Sequence, residues 1–407
     1  MDEITPAAQR HALALQHQAA HTAAPTRNAR QQVRLRLLRA WGRSYPRPAA
    51  THPPRRILLI RPDHLGDLLF TTPMLHVLRQ SLPEAQITAL TGPWGQAVLA
   101  NTPDLDALLT CPFPGFTRTA QDNPLAPYRL LREEARRLAG LSFDLALILR
   151  FDHWWGAWLA AAAGIPQRVG YAVAEVQPFL THAVPYRAGR HEVLQNLALA
   201  LAATGRTLPA AETDAPPLRF VIPAAAEGAA ARLLPDDGRP VVALHPGSGA
   251  AVKRWRTAGW VELANWLVQA RGARVVFTGS TGEAALIEPV LAALPAGTAR
   301  SLAGQTDLDT LAALYRRCAL VIGPDSGPLH LAVAVGAPTL HLYGPVDQRT
   351  FGPWGNPQRH RVLVSDWACI PCNRLDWPAA ALPEHGCVRD IAASQVIAAA
   401  ARLLDAV

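Results

Sequence analysis

Residues 56–67 read Arg56-Ile57-Leu58-Leu59-Ile60-Arg61-Pro62-Asp63-His64-Leu65-Gly66-Asp67. The continuous apolar run at the start is typical of a strand that is buried on both faces of a parallel sheet. A polar loop follows, and a helix is predicted over 68–82. Further strands are predicted at residues 86–91, 107–111 and 143–149. Because strands alternate with helices, the sequence predicts a doubly wound α/β domain.

The same pattern begins again after a stretch rich in Pro, Ala and Asp over 205–240. Strands are predicted there at residues 241–245, 274–278, 319–322 and 338–343. Two such domains in series predict a cleft, and ligands of open α/β sheets bind at the loops that follow the strands. We divide the chain into an N-terminal extension and linker (1–54), a first domain (55–225), a second domain (226–390) and a C-terminal helix (391–407).

The chain has 407 residues and a formal net charge of +8, and its basic side chains are almost all arginines. This charge indicates an anionic partner such as nucleic acid, anionic lipid or a phosphorylated small molecule. No segment has about 20 unbroken apolar residues, so we expect no transmembrane helix. The N-terminus lacks the order of a secretion signal, and the five cysteines do not form a disulfide pattern. These features predict a cytoplasmic protein.

The N-terminal extension is basic, since residues 27–56 contain many arginines and no acidic residue. The apolar residues on one side of this stretch are Val33, Leu35, Leu37, Leu38 and Trp41. We interpret it as a short basic amphipathic helix and a proline-rich linker, which would make the protein peripheral at the anionic inner face of the cytoplasmic membrane. The alternative is a disordered tail.

The loop after the first strand ends in Gly66 and Asp67, where the next helix begins. Glycine lets the backbone approach a ligand closely, and a carboxylate here can take a proton from an attacking hydroxyl. Asp63 is a second carboxylate in this loop. The alternative is that Asp67 or Asp63 merely caps the helix.

The loop after the strand at 241–245 contains Gly and Ser residues, among them Ser248, and Lys253, the only lysine of the chain. Free backbone N–H groups, a hydroxyl and a compact cation are the chemistry of a phosphate site. The Gly-Lys-Ser/Thr order of a Walker loop is absent. The alternative is an exposed loop with solvated charges.

Residues 323–330 follow a buried strand and open another helix. The N-terminus of that helix would present free N–H groups to a diphosphate near Ser326 and Gly327. Asp325 could hold a sugar hydroxyl. His330 lies one turn further on the same side, and its alternative role is that of a buried core histidine.

Glu283 follows another predicted strand and could bind a ribose, but the G-x-G-x-x-G spacing of an NAD site is missing, and we expect no cofactor. Metal-dependent sugar transferases often carry an Asp-x-Asp pair. This chain has two such pairs, Asp104/Asp106 and Asp307/Asp309. Helix capping accounts better for Asp307, so we expect no catalytic metal.

Three groups of residues, in order, resemble glycosyltransferase family 9, the bacterial heptosyltransferases of lipopolysaccharide core assembly. The first group is Ile57-Leu58-Leu59-Ile60-Arg61 with Leu65-Gly66-Asp67 and Thr71-Thr72-Pro73. The second is His245-Pro246-Gly247-Ser248 with Lys253-Arg254-Trp255. The third is Asp325-Ser326-Gly327-Pro328 with His330 and Ala332. The resemblance extends over residues 56–404.

The resemblance implies a GT-B fold, in which two Rossmann-like domains face a cleft and the last helix crosses back onto the first domain. It also implies an inverting, metal-independent transfer of heptose from ADP-heptose to a lipid-linked glycan acceptor. Asp67 would be the catalytic base, next to Asp63 and Gly66 in the acceptor-side loop. The residues that would bind the donor are Ser248, Lys253, Glu283, Asp325, Ser326, Gly327 and His330.

Two other functions remain open at this point. A transferase or epimerase that uses another nucleotide-sugar, of the UDP type, would share the fold. A non-catalytic protein that binds nucleic acid or the envelope would depend on the basic extension. No interleaved aromatic platform supports this second alternative, and we expect no nucleic acid as a partner.

The late cysteines depart from the family, since many members carry four and this chain has Cys369, Cys372 and Cys387. With His385, these thiols could form a tetrahedral structural zinc site. The alternatives are free buried thiols or the remnant of a four-cysteine arrangement.

Overall fold

The computed structural model describes residues 28–48, 52–117, 123–205 and 215–406. These residues form two units, the first with the described residues up to Pro216 and the second with those from Pro217 onward. What the sequence predicts for residues 1–27 lies outside the described residues. In the described ranges, every helix is too short or too polar to cross a bilayer.

A parallel sheet of six strands, in the order β3-β2-β1-β4-β5-β6, forms the centre of the first unit. Its strands are β1 (Arg56–Arg61), β2 (Gln86–Thr91), β3 (Ala107–Thr110), β4 (Leu145–Ile148), β5 (Gln167–Tyr171) and β6 (His182–Val184). Its helices are α1 (Ala29–Ser44), α2 (Leu65–Leu69), α3 (Thr72–Ser81), α4 (Gln96–Leu99), α5 (Ala126–Ala139), α6 (Trp154–Ala162) and α7 (Glu192–Thr204). Residues 57–60 of β1 are buried, as their apolar run predicts.

The second unit contains another parallel sheet of six strands, in the order β12-β11-β10-β7-β8-β9. Its strands are β7 (Val241–Leu244), β8 (Arg274–Phe277), β9 (Ala299–Ser301), β10 (Leu320–Pro324), β11 (Thr339–Tyr343) and β12 (His360–Val364). Its helices are α8 (Ala224–Leu233), α9 (Thr257–Arg271), α10 (Ala284–Ala292), α11 (Leu308–Arg316), α12 (Gly327–Ala334), α13 (Gln348–Phe351) and α14 (Ala393–Asp405).

Each sheet is doubly wound and has one point at which the strand order reverses. In the first unit this point lies between β1 and β4, and in the second it lies between β7 and β10. Ligands of doubly wound sheets bind outside the carboxyl ends of the strands at such a point. The loops that the sequence singles out follow β1, β7 and β10, so each of them lies at the switch point of its own unit.

The predicted basic helix of the extension is α1, which belongs to the first unit instead of forming a separate segment. Its N-terminus is closed by a capping box between Asn28 and Gln31. Leu38 is buried in the core of the unit, and Trp41 stacks on Trp158 with ring centroids 5.0 Å apart. Leu38 and Trp41 therefore attach the helix to the first unit.

The division between the units falls between Pro216 and Pro217, earlier than the expected boundary at residue 225. The reason is that α8 packs against α11 of the second unit. Helix α14 packs against α9 in the same unit, where Arg271 and Asp405 form an ion pair of 2.6 Å. The return of the C-terminal helix to the first domain stays a prediction.

Candidate functional site

Arg61, the last residue of β1, is the centre of a buried ion network in the first unit. Its guanidinium lies 2.8 Å from Asp63, 2.7 Å from Glu192 and 3.3 Å from Asp67. It also donates to the carbonyl oxygen of Leu149 at 3.0 Å, which connects the ends of β1 and β4. Three carboxylates around one guanidinium leave an excess of negative charge at the switch point.

Arg150 follows β4 and brings a second guanidinium to Asp63. Burial by itself would raise the pKa of Asp63, but Arg61 and Arg150 hold it below its ordinary value. Asp63 is therefore an ionised structural link between two strands. The N-cap residue of α2 is His64, so the alternative in which Asp63 or Asp67 caps this helix is wrong.

Asp67 is the accessible carboxylate of the network, in the first turn of α2 beside Gly66. Its side chain is 32% exposed, whereas that of Arg61 is 4% exposed. Desolvation raises the pKa of Asp67 to about 7, and the charges of Asp63 and Glu192 add to the rise against the opposing effect of Arg61. A reachable carboxyl group with a pKa near neutrality has the properties of a general base.

Lys253 and Asp325, which the sequence places in separate loops of the second unit, form one buried ion pair. The Lys253 Nζ donates to Oδ2 of Asp325 at 3.0 Å, and Nε2 of His330 lies 3.6 Å from Oδ1. Burial would raise the pKa of Asp325, yet Lys253 and His330 hold it well below its ordinary value. Because Lys253 is only 9% exposed, the alternative of a solvated loop lysine is wrong.

The start of α12 combines several groups that attract an anion. Ser326 is the N-cap residue, but its side chain makes no cap hydrogen bond, and its buried Oγ has no partner among the described residues. Gly327 is the first residue of the helix. The free N–H groups of a first helical turn and the positive end of the helix dipole stabilise an anion. The arrangement fits a diphosphate.

Glu283 joins the loops that follow β7 and β8. Its carboxylate accepts from the backbone N and the Oγ of Ser280, both at 2.8 Å. It also lies against Gly247, where a side chain would have to displace the Glu283 carboxylate. The Ser248 hydroxyl donates to the carbonyl oxygen of Ala250 at 2.7 Å. Ser248 therefore shapes the loop and keeps lone pairs that can accept.

Several residues of the first-unit network are missing from the residues that the sequence singles out. Glu192 begins α7 and is buried, although it is the only acidic residue of an otherwise mostly apolar helix. That lone carboxylate is the signal by which it could be found. Arg150 directly follows a predicted strand, as Arg61 ends one. A charged residue at the end of a buried strand is the common signal.

The structure does not assemble the hypothesised zinc site. In the described ranges, no group of three His, Cys, Asp or Glu side chains could hold a metal ion. The ring of His385 instead stacks on Trp377, with centroids 3.5 Å apart. Cys369, Cys372 and Cys387 are free buried thiols, which is the first of the alternatives given above.

Two doubly wound parallel sheets, each with polar and charged loops at its switch point, are the architecture of the GT-B fold. A model of glycosyltransferase family 9 (heptosyltransferase) matches residues 131–377, and the chain belongs to this family. It is 26% identical over 318 residues to lipopolysaccharide heptosyltransferase 2 of Salmonella typhimurium, with 76% of this chain and 87% of the relative covered.

Solved structures agree on the fold. The family 9 glycosyltransferase from Veillonella parvula is 25% identical and has a TM-score of 0.71. The superposition covers 87% of this chain and 98% of the Veillonella chain. The E. coli ADP-heptose lps heptosyltransferase II is 22% identical and has a TM-score of 0.69. The superposition covers 86% of this chain and 99% of the E. coli chain. The predicted GT-B fold and the predicted glycosyltransferase class are confirmed, and heptose transfer in lipopolysaccharide core synthesis is the family activity. These findings favour transfer over the epimerase and the non-catalytic alternatives.

Proposed function

We propose that this protein transfers heptose from ADP-heptose to a hydroxyl of a lipopolysaccharide core or related lipid-linked glycan, with inversion and without a metal ion. The observation that carries the proposal is Asp67, a solvent-reachable carboxyl group whose pKa is raised to about 7. In the proposed reaction the acceptor oxygen attacks the anomeric carbon from the face opposite the diphosphate. Its proton passes to Asp67, the bond from the anomeric carbon to the diphosphate oxygen breaks, and ADP leaves.

The donor would bind to the second unit. Lys253, the Ser326 hydroxyl and the first N–H groups of α12 would receive the diphosphate and stabilise the charge that grows on ADP. Lys253 would then exchange its Asp325 partner for a phosphate oxygen. The released Asp325 carboxylate could accept a hydrogen bond from a heptose hydroxyl. Glu283, whose carboxylate lies against Gly247, would accept a hydrogen bond from a ribose hydroxyl.

The proposal of a metal-independent reaction is supported by the contacts of the two Asp-x-Asp pairs, since each pair contains a carboxylate that already binds a group of the protein. Asp307 caps α11 by accepting from the backbone N of Thr310 at 2.8 Å. Asp106 forms an ion pair of 2.5 Å with Arg79. In each pair, therefore, at least one carboxylate is already engaged and is not available to bind a cation.

The nucleotide test distinguishes ADP from UDP donors. We expect ADP, but not UDP, to raise the melting temperature, because a ligand at 100 times its Kd stabilises the folded state by about 2.7 kcal/mol. We also expect ADP-heptose, with EDTA present, to support transfer to lipopolysaccharide from a strain that lacks heptosyltransferase 2. Stabilisation by UDP with transfer from a UDP-sugar would instead establish the alternative donor, and loss of transfer in EDTA would contradict the metal-independent reaction.

We also propose that α1 attaches the enzyme to an anionic phospholipid surface. Val33 and Leu37 are 54% and 47% exposed, whereas Leu35 and Leu38 of the same helix are buried. Among the side chains of this helix that the structure describes, the exposed basic ones are Arg34, Arg36, Arg39 and Arg43. Apolar side chains beside arginines complement acyl chains and lipid phosphates, and each arginine near such a surface contributes about 1 kcal/mol.

The test of this surface is vesicle binding. The double variant Arg36→Ala/Arg39→Ala should bind phosphatidylglycerol-containing vesicles about 30-fold more weakly, since two contributions of about 1 kcal/mol are lost. Its turnover on a soluble acceptor should stay at the wild-type level. Phosphatidylcholine vesicles serve as the uncharged control. Equal binding of both proteins to the anionic vesicles would contradict the proposed surface.

A further inference from the structure

A groove of about 490 Å³ lies on the first unit between α1, α5 and α6. This volume is within the range of small-ligand sites, about 300–1,000 Å³. Three helices that the structure describes supply its walls, and none of the residues proposed for catalysis or donor binding belongs to it. Its apolar lining includes Val33, Leu37 and Trp41 of α1, Tyr128 of α5, and Trp154 and Trp158 of α6.

The apolar side chains of this groove are open to solvent. The described part of the chain leaves seven large apolar side chains exposed, and four of these line the groove. Single exposed apolar residues are ordinary on a protein surface, whereas a cluster of them marks a contact with another apolar group. A ligand that enters the groove reaches these side chains directly. The four are Val33, Leu37, Trp41 and Tyr128.

The aromatic rings of the groove surround Trp158. Its ring stacks on Trp41, with centroids 5.0 Å apart. The ring centroids of Tyr128 and Trp154 lie 5.9 and 6.3 Å from that of Trp158. The indole Nε1 of Trp158 donates to the Tyr45 hydroxyl at 2.9 Å. Trp158 therefore offers the groove apolar surface while its polar atom is already satisfied, which favours a hydrocarbon over a polar ligand.

The charge beside the groove is positive. Helix α1 contains no acidic residue, and its Arg34 lines the groove with the guanidinium over the Trp154 ring, 5.8 Å from the centroid. Asp152 is two residues before Trp154, but it is paired with Arg150 at 2.6 Å. An apolar groove next to arginines complements a hydrocarbon chain that carries an anionic group at one end.

We propose that this groove binds one acyl chain of an anionic phospholipid, with Arg34 beside the phosphate and the chain against Val33 and Leu37. The free energy comes from covering apolar side chains that are otherwise in water. The inference rests on the proposed attachment of α1 to an anionic membrane and adds a defined site for a single lipid molecule. Because α1 precedes residue 56, where the resemblance to family 9 begins, this site is a property of the N-terminal extension.

The test uses lysophosphatidylglycerol, a single-chain anionic lipid, below its critical micelle concentration, so that a monomer binds and no membrane surface is present. Calorimetry with the full chain should give one lipid bound per protein. Lysophosphatidylcholine, which has the same chain and no net charge, should bind about 5-fold more weakly, the effect of about one arginine near an anionic lipid. Glycerophosphoglycerol, which is the headgroup without the chain, should not bind.

The decisive variant is Val33→Ser/Leu37→Ser, which removes apolar surface from the groove at two exposed positions. We expect it to bind lysophosphatidylglycerol about 10-fold or more weakly. Leu125→Ser is the matched control, because Leu125 is also an exposed apolar residue of the first unit but does not line the groove. A photoreactive diazirine at the end of the lipid chain covers the case in which the double variant fails to fold. In the wild-type protein it should crosslink to peptides of α1, α5 or α6.

Wild-type affinity in the folded double variant, an equal loss in Leu125→Ser, or crosslinks confined to other helices overturns the acyl-chain site. Absence of binding by the wild-type protein also overturns it, and is the result expected if a second copy or another part of this chain covers the groove. If the lysolipid binds in the groove but anionic vesicles do not bind, the site stands and the membrane attachment fails. If the vesicles bind and the lysolipid does not, the attachment stands and the site fails.

Discussion

Replacing Asp67 with asparagine is expected to slow heptose transfer by about 100-fold or more while ADP binding stays unchanged. General-base assistance contributes about 10²–10⁴ to a rate, and the amide of asparagine cannot take the proton. Initial rates with ADP-heptose and calorimetry with ADP measure the two quantities separately. The buried Asp63, held by Arg61 and Arg150, would become the next candidate if the Asp67→Asn variant kept most of its activity.

The same prediction has a pH dependence with a definite sign. The pKa of Asp67 is raised to about 7, so the carboxyl group is mostly protonated at pH 6 and mostly ionised at pH 8. Wild-type kcat should therefore rise with pH through about 7, and this limb should be absent in Asp67→Asn. A raised pKa also means that ionisation of Asp67 lowers the stability of the fold, a loss that develops as the pH rises from the ordinary range of aspartate to about 7 and stays constant above it. We therefore expect the melting temperature of Asp67→Asn at pH 8 to be no lower than that of the wild type. That result would exclude unfolding as the cause of the lost activity.

Replacing Lys253 with alanine is expected to weaken ADP binding by about 1.5–3 kcal/mol, the contribution of a hydrogen bond to a charged group. It should also lower stability by about 3 kcal/mol, because the buried Asp325 carboxylate loses its main partner. The lowered pKa of Asp325 means that the pair contributes its stability at neutral pH and loses it in acid. The fall in melting temperature should therefore be smaller at low pH.

A companion variant tests the proposed exchange of partners. Asp325→Asn leaves Lys253 without its competing carboxylate, so ADP should bind several-fold more tightly even though the free protein is less stable. Arg271→Ala is the matched control, because it removes a paired cation at the end of α9. This end of the helix leads into the start of β8, whereas the proposed diphosphate site lies at the loops that follow β7 and β10. Unchanged ADP affinity in Lys253→Ala, or weaker ADP binding in Asp325→Asn, would contradict the diphosphate site.

The sequence by itself determines the two parallel sheets and the loops that carry the chemistry. The apolar runs at 57–60 and 241–244 identify β1 and β7, and the strand predicted over 86–91 has the bounds of β2. These strands can be predicted because burial on both faces of a strand requires continuous apolar residues, a pattern that is local in sequence. Elements such as β6 and β12 were not predicted, since their partly exposed residues weaken that pattern.

Only the tertiary structure decides which charged residues meet. Arg61 pairs with Glu192, 131 residues away, and Lys253 pairs with Asp325, 72 residues away. A doubly wound sheet brings the ends of β1 and β4, and of β7 and β10, side by side although they are distant in the chain. The raised pKa of Asp67 depends on burial and on neighbours from other strands. Electrostatic interactions act through space and depend on local desolvation, so no periodicity along the chain reveals them.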